Sequence, residues 1–315
     1  MKIIFSKIFT LLLFFYIFIP SQSAQIEKDL LYNKHTLKDT YKYKKIERTF
    51  RKDIISNYLD QITQFETKYS AFGTLRNYKN ANGHPTLPGH HFIKTYTFKD
   101  INRVITISED AYGIRAYQGI PLYKPLKLDV PDRLGTDGEL VAIISKGDIY
   151  TKVAFLDLPG EWLIPNRYVR ELEVTDFKRV VFVDRKNQNI STLEDVNHIW
   201  KIRSYNPCTT GLHNPPFQFE TPGGIFVVQY KKPKMLYLVD GSKTELAGYT
   251  PYATRFSGGG YLHGVPVNLP ETKMIEYSPT LGTIPRSHMC VRNATSHAKF
   301  IYDWAQTFKT LVIVF

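Results

Sequence analysis

From about residue 113 onward the chain is cut into short apolar runs by glycine- and proline-rich breaks. Val141–Ile144, Thr151–Phe155 and Glu161–Pro165 are separated by Lys-Gly-Asp and Leu-Pro-Gly. Val180–Val183, Ile199–Ile202, Ile225–Tyr230, Leu236–Val239 and Leu311–Phe315 follow at similar lengths. Runs this short, bounded by turn residues, are strands. The punctuation therefore predicts a mainly β fold in several units, with no internal repeat. Two stretches depart from it. In 25–112, Ile46, Phe50, Ile54, Tyr58 and Ile62 recur every four positions, with Ile55, Leu59, Phe65 and Tyr69 widening the stripe. That is an amphipathic helix. Its other face (Lys44, Lys45, Glu47, Arg48, Arg51, Lys52) mixes signs, which favours packing on its own domain over lying on a membrane. Residues 80–91 are a turn-rich connector in which His84, His90 and His91 are expected to face solvent. After Cys290, Ala294, Ala298, Ile301 and Ala305 share one helix face, with Asn293 or Thr295 as the expected cap.

Residues 1–24 have the pattern of a secretory signal peptide. Lys2 and Lys7 precede the apolar core Ile8–Ile19, Pro20 ends it, and Ser21-Gln22-Ser23-Ala24 offers small residues for cleavage after Ser23 or Ala24. The core is short for a bilayer span, and no later segment is long enough, so no stable membrane insertion is expected after cleavage. The mature protein is therefore expected outside the cytoplasm, which for a bacterial host means the periplasm, envelope or cell surface. Two cysteines, Cys208 and Cys290, do not make a disulfide scaffold, and a chain of this length can rely on its core. Loss of the leader lysines lowers the formal charge from +12 to +10. A basic exported protein associates with polyanionic surfaces such as a cell wall. Nucleic acid is disfavoured, because the Lys and Arg residues are dispersed and no recognition motif accompanies them.

Chemistry concentrates at Ser287-His288-Met289-Cys290-Val291-Arg292 and at Tyr261-Leu262-His263-Gly264. A cysteine nucleophile needs a base and a site for the oxyanion formed on attack. Here one thiol has one imidazole nearby in sequence and a second from a distant segment. A helix N-terminus just after Cys290 would modestly favour a thiolate. No metal-ligand spacing joins His263, His288 and Cys290, and no metal or organic cofactor is expected. Cys208, in Asn206-Pro207-Cys208-Thr209-Thr210-Gly211, is read as a bystander, with a disulfide to Cys290 as the alternative.

Several segments in order resemble the L,D-transpeptidase (YkuD-type) catalytic domain of bacterial peptidoglycan metabolism. Val183-Asp184-Arg185-Lys186-Asn187-Gln188 is similar to its first hairpin, and Thr221-Pro222-Gly223-Gly224-Ile225-Phe226 to its Thr-Pro-x-Gly-x-Phe segment. Tyr252–Phe256 followed by Gly258–Gly264 resembles the strand and loop ending in His-Gly. Ser287–Arg292 resembles the signature Ser/Thr-His-Gly-Cys-x-Arg/Asn. Glu161–Val169 is similar to the close of bacterial SH3-like modules, with Trp162 and Tyr168 either lining a peptide surface or filling a small-barrel core. The implied organisation is a signal peptide (1–24), a helical N-terminal region (25–112), an SH3-like small β-barrel (113–174) and a mixed β-sandwich catalytic domain (178–315).

The resemblance implies that Cys290 attacks a diamino-acid–D-alanine bond in a peptidoglycan tetrapeptide stem. An amine of a neighbouring stem then takes the acyl group, giving a 3→3 crosslink. Water in its place would make an L,D-carboxypeptidase, and a fold that has lost turnover would be a wall-binding protein. The resemblance makes His263 the base, with an adjacent backbone carbonyl fixing its tautomer and an imidazolium lowering the thiol pKa. His288 would shape the pocket or share proton transfer. Met289 and Cys290 N–H groups would hold the oxyanion, with Gly264 and Ser287 beside the substrate. Arg292 would bind a carboxylate or brace the loop. Carbapenem β-lactams are the implied inhibitors. Two departures stand out. Met289 replaces the usual glycine, which is costly if φ is positive there. An insertion around Val267–Arg286 would form a lid or a plain loop.

Overall fold

The computed structural model describes residues 23–34, 50–77, 94–100, 103–109, 119–242 and 244–315. The leader through Gln22, the 44–48 part of the amphipathic stripe, and the 80–91 connector with its three histidines lie outside the described residues.

The elements run β1 (Ile26–Lys28), α1 (Lys52–Lys68), β2 (Phe72–Leu75), β3 (Lys94–Asp100) and β4 (Arg103–Glu109). The middle of the chain gives β5 (Gly119–Leu122), β6 (Arg133–Thr136), β7 (Leu140–Lys146), β8 (Tyr150–Ala154), β9 (Glu161–Pro165) and β10 (Val169–Glu171). Then come β11 (Arg179–Asp184), β12 (Asn189–Val196), β13 (Ile199–Pro207), β14 (Gly224–Val227), β15 (Tyr230–Leu238) and β16 (Leu246–Arg255). The last are β17 (Tyr261–His263), β18 (Val267–Asn268), β19 (Val291–Arg292), α2 (Thr295–Trp304) and β20 (Thr310–Val314). The fold is mainly β, and among the described residues no helix is long and apolar enough to cross a membrane.

A six-stranded sheet, in the order β1-β13-β12-β11-β20-β14, is the centre of the molecule. Its parallel inner pair, β11 and β20, reads as continuous apolar runs because both faces are covered. Alternate residues separate cleanly. Val180, Phe182, Leu193, Leu311 and Ile313 pack with Ile55, Leu59, Ile62 and Phe65 of α1. Val181, Val183, Ile190, Val312 and Val314 pack on the other side with Phe256, Leu262 and Val291, and with Ile301 and Trp304 of α2. This second layer is the sheet β15-β16-β17-β19, with β18 added beside β16. The two sheets and α2 form the expected mixed sandwich.

Helix α1 therefore lies on the sheet of the C-terminal half, and Arg51 fixes its start through an ion pair to buried Asp184 at 2.6 Å. The region 25–112 also supplies β1, which pairs in parallel with β13, and β2, which lies between β10 and β7.

The expected small barrel takes a different form. β10-β2-β7-β8-β9 is an open five-stranded sheet, and the β5–β6 hairpin joins it through a single bridge between Tyr123 and Leu163. The reason lies in the pairing: one strand comes from upstream of the 113–174 stretch, and among the described residues no ladder closes the circle. Trp162 and Tyr168 are buried with Leu75, Ile120 and Val153, so they are core and not a peptide-binding surface.

Candidate functional site

β17 and β19 lie side by side in parallel register, with Leu262 opposite Val291 and His263 opposite Arg292. That pairing brings two segments 27 residues apart into one site. A cavity of about 690 Å³ opens there, lined by His263, Ser287, His288, Cys290 and Arg292. Met289 and Gly264 stand behind its wall. Met289 is buried, and Gly264 is wedged so tightly that a β-carbon would lie 2.8 Å from Pro251 Cγ and 2.9 Å from Thr295 Oγ1.

Gly264 acts on the base through its backbone. His263 is buried, and its Nδ1 lies 2.6 Å from the Gly264 carbonyl oxygen. A carbonyl only accepts, so Nδ1 carries the hydrogen and Nε2 keeps the lone pair. Burial, the largest influence, holds His263 down to about 4, so the ring is neutral at neutral pH.

Cys290 is partly buried. Its thiol donates to the Gly259 carbonyl at 3.4 Å. Burial pushes it up to about 11, against the smaller opposing effects of the Tyr261 N–H and the Arg292 guanidinium. The expected thiolate–imidazolium pair is thus replaced by a resting thiol and imidazole, because desolvation disfavours both charges. The N-terminus of α2 is turned to another partner. α2 begins five residues after Cys290, and its N-terminus is already occupied. Glu276 accepts from Thr295 N–H through its carbonyl (2.9 Å) and from Ser296 N–H through its carboxylate (3.0 Å). The N-cap is Ala294, with no side-chain bond, so neither Asn293 nor Thr295 caps the helix.

The loop carrying Cys290 is held from behind. The Thr221 hydroxyl accepts from Gly211 N–H (2.8 Å) and donates to the Met289 carbonyl (2.7 Å). Phe219 N–H donates to the His288 carbonyl at 3.1 Å, and the Ser287 hydroxyl donates to the Cys290 carbonyl. In a trans peptide the N–H points opposite to the carbonyl. The Met289 and Cys290 N–H groups are therefore both directed away from the 219–221 segment. Gly211 permits this contact, since a β-carbon there would come within 2.2 Å of the Phe219 carbonyl oxygen. Met289 is absent from the residues with positive φ, which explains why a side chain is accepted where the resembling family has glycine.

His288 faces the other rim, with Nε2 3.0 Å from both carboxylate oxygens of Asp240. Asp240 sits in the turn between β15 and β16, so this hairpin roofs the cavity. Arg292 is braced through its backbone by two bonds to Thr209 (2.9 and 2.8 Å), while its Nε has no partner among the described residues. The 267–286 insertion is tied back along its length. Tyr249 Oη bonds the Thr272 carbonyl at 2.8 Å, Thr209 Oγ1 the Thr280 carbonyl at 2.9 Å, and Gly282 N–H the Cys208 carbonyl at 2.7 Å. It forms a wall of the site. Cys208 is a free, fully buried thiol whose pKa burial raises well above the ordinary value, and Cys290 is also free. Among the described residues no group of three or more His, Cys, Asp or Glu side chains is arranged to hold a metal ion.

Sequence reasoning missed Asp240, 48 positions from His288, and the roles of Thr221 and Gly211. Thr221 carried a signal, the Thr-Pro-x-Gly segment, whose meaning needed the fold. Gly211 lay in a stretch read only for its cysteine.

Residues 178–314 match the model of the L,D-transpeptidase catalytic domain, YkuD. No curated protein matches the chain. Among solved structures, an L,D-transpeptidase from Mycobacterium smegmatis is similar at 16% identity over 56% of this chain and 82% of its own, with a TM-score of 0.36. An LD transpeptidase in complex with imipenem is similar at 14% identity over 74% and 99%, TM-score 0.36. A fused Zn-dependent amidase/peptidase/peptidoglycan-binding protein from Clostridium acetobutylicum shares 21% identity over 46% of this chain, TM-score 0.31, and the match spans about half of that protein (55%).

Proposed function

We propose that this chain, whose residues 178–314 are an L,D-transpeptidase catalytic domain, is an exported cysteine acyltransferase acting on peptidoglycan stem peptides. The observation that carries the reading is the buried Gly264 carbonyl–His263 contact beside Cys290, which leaves a neutral imidazole with its Nε2 lone pair available.

Cys290 Sγ attacks the carbonyl carbon of the diamino-acid–D-alanine bond as its proton passes to His263 Nε2. The Met289 and Cys290 N–H groups receive the negative charge on oxygen, since both point away from the elements that hold their loop. The tetrahedral intermediate collapses, the C–N bond breaks, and His263 returns the proton to the departing D-alanine amine. The thioester is then attacked by the amine of a second stem. His263 takes that amine's proton and passes it to the sulfur as the C–S bond breaks, leaving a new amide and the free thiol. Transferring the proton during attack suits a pair whose separate charged forms are both disfavoured by burial. Arg292 offers an unpartnered Nε for a stem carboxylate, and His288, tied to Asp240, shapes the mouth. No cofactor enters these steps. Carbapenems, with a strained acyl carbonyl, are the inhibitors expected to acylate Cys290. The leader pattern supports export to the envelope.

The test is a product assay with a disaccharide-tetrapeptide donor, with and without acceptor stem. Crosslinked dimer with loss of D-alanine supports transfer. Tripeptide alone, at saturating acceptor, moves the assignment to an L,D-carboxypeptidase. No product from folded, reduced protein returns the reading to a wall-binding module.

A further inference from the structure

The chain around β1 is gripped through its backbone from two sides. On one side β1 pairs with β13, Ile26 opposite Trp200, and the Trp200 N–H donates to the Gln25 carbonyl at 2.9 Å. On the other side α1 presents Lys52, Ser56 and Asp60, spaced four apart and so in one row. Lys52 Nζ donates to the Ile26 carbonyl at 3.2 Å, and Ser56 Oγ lies 3.5 Å from the Ala24 carbonyl oxygen. Asp60 Oδ1 accepts from the Ala24 N–H at 2.8 Å. All three contacts are to main-chain atoms, and the row ends on the nitrogen of Ala24. Upstream of that nitrogen, Ser23 adds an exposed contact between hydroxyls, Oγ to Ser56 Oγ at 3.1 Å.

Asp60 is half-buried, and among the described residues it pairs with no Lys, Arg or His. Its surroundings supply no spare positive charge. A cavity of about 780 Å³, lined by Ser23, Ala24 and Asp60, also holds Glu66, Asp176 and Asp195 against Lys178 and His198. Lys178 is already shared between Asp176 at 3.2 Å and Asp195 at 2.9 Å. Glu66 accepts from the Phe177 N–H at 2.6 Å, and burial pushes it up to about 7. The carboxylate that holds Ala24 is therefore short of a cation, and an ammonium in place of the amide N–H would add a full opposite charge to the contact.

The sequence offers that ammonium. Ser21-Gln22-Ser23 has the small-x-small pattern of a leader cleavage site, which puts the scissile bond between Ser23 and Ala24. Hydrolysis there by a leader peptidase consumes one water. The C–N bond breaks, Ser23 departs with the leader as a carboxylate, and the Ala24 nitrogen becomes an ammonium. Cleavage one bond later would remove the nitrogen that Asp60 holds and leave the carboxylate with neither donor nor cation.

We propose that the chain is processed between Ser23 and Ala24, and that the new Ala24 ammonium docks on Asp60 and anchors β1 against α1. This rests on the export reading above and not on the chemistry at Cys290. It adds which bond is cut and what receives the new terminus.

The experiment expresses the full chain with its leader in a bacterial host and recovers the exported protein as wild type, Asp60→Asn and Asp60→Glu. Intact mass reads the first residue, and the rate of α-amine acylation by an N-hydroxysuccinimide ester, followed against pH, reads the ion pair. The expected mass begins at Ala24. A carboxylate beside the amine should move its rate profile up by about one pH unit, so at pH 7 Asp60→Asn reacts roughly tenfold faster than wild type. Asp60→Glu, which keeps the charge, stays nearer wild type. A protein beginning at Gln25, or exported with its leader attached, overturns the proposal. Equal rates in wild type and Asp60→Asn overturn the docking, as does a slower wild type whose pH profile is unshifted, since that is burial and not charge. If Asp60→Asn does not fold, wild type decides: its profile should fall by about one unit on unfolding in urea, and an unmoved profile overturns the pair. An unprocessed chain retained in the cytoplasm overturns export and this proposal together. The carbapenem adduct on Cys290, read on the same protein, judges the transferase reading separately.

Discussion

Replacing Thr221 with valine removes one oxygen and keeps the shape. That oxygen serves two buried backbone groups, the Gly211 N–H at 2.8 Å and the Met289 carbonyl at 2.7 Å, and Thr221 itself has no exposed surface. A buried polar backbone group left without a partner costs about 1–3 kcal/mol. Two of them, with some relaxation, should lower unfolding free energy by roughly 2–4 kcal/mol. The kinetic effect follows from the same bond. With its carbonyl released, the Met289–Cys290 peptide can rotate, and the Cys290 N–H loses its fixed direction. Loss of one oxyanion donor slows acyl transfer by about 10²–10³. The rate of carbapenem adduct formation by intact mass, with urea unfolding in parallel, measures both. Thr221→Ser keeps the hydroxyl and should lie near wild type. A valine variant acylating within about threefold of wild type, with stability changed by less than about 0.5 kcal/mol, would refute the claim that Thr221 orients the nucleophile loop.

Further expectations concern packing and protons. Met289→Gly, which restores the residue usual in the resembling family, should destabilise by roughly 3 kcal/mol, since it empties a buried site whose φ does not need glycine; a more stable glycine variant by urea unfolding would contradict this. His263 must be neutral to accept a proton and is held down to about 4, so acylation should be level from pH 5 to about 8 and fall as pH drops through about 4. A half-loss near pH 6.5 in the acylation profile would show an unperturbed base. Glu139 is partly buried and pushed up to about 8 from 4.5, chiefly by desolvation with Asp157 adding to it. Its folded form holds a proton that the unfolded chain has lost, so its contribution is complete below pH 4.5 and declines as pH rises toward 8. Wild type should therefore lose several kcal/mol relative to Glu139→Gln between pH 4.5 and 8, and parallel stability curves would contradict that assignment.

What the sequence disclosed, and what it hid, follows from range and environment. The central sheet was legible because both of its faces are covered, so Val180–Val183 and Leu311–Phe315 are unbroken apolar runs. α1 was legible from its period, and its fully buried row Ile55, Leu59, Ile62 and Phe65 falls within the stripe. β1 was hidden: three residues carry no period, and their partner β13 lies more than 170 residues away. The open sheet was hidden because β2 reaches it from another part of the chain. At the site, residue types and order pointed to Cys290 and His263, but their protonation did not. Adjacency suggests an ion pair, and only burial reveals that both groups are pressed toward neutrality. The Asp240–His288 contact depends on a hairpin folding over the cavity, and the Glu276 contact on an insertion folding back to α2. Neither has a local signature.

The central claim is that Cys290 is the nucleophile of an acyl-accepting site, and intact mass after incubation with a carbapenem tests it most directly. Wild type and Cys208→Ala should each gain a single adduct, and Cys290→Ala should gain none. An adduct retained in Cys290→Ala, or no adduct on folded, reduced wild type, would contradict the account.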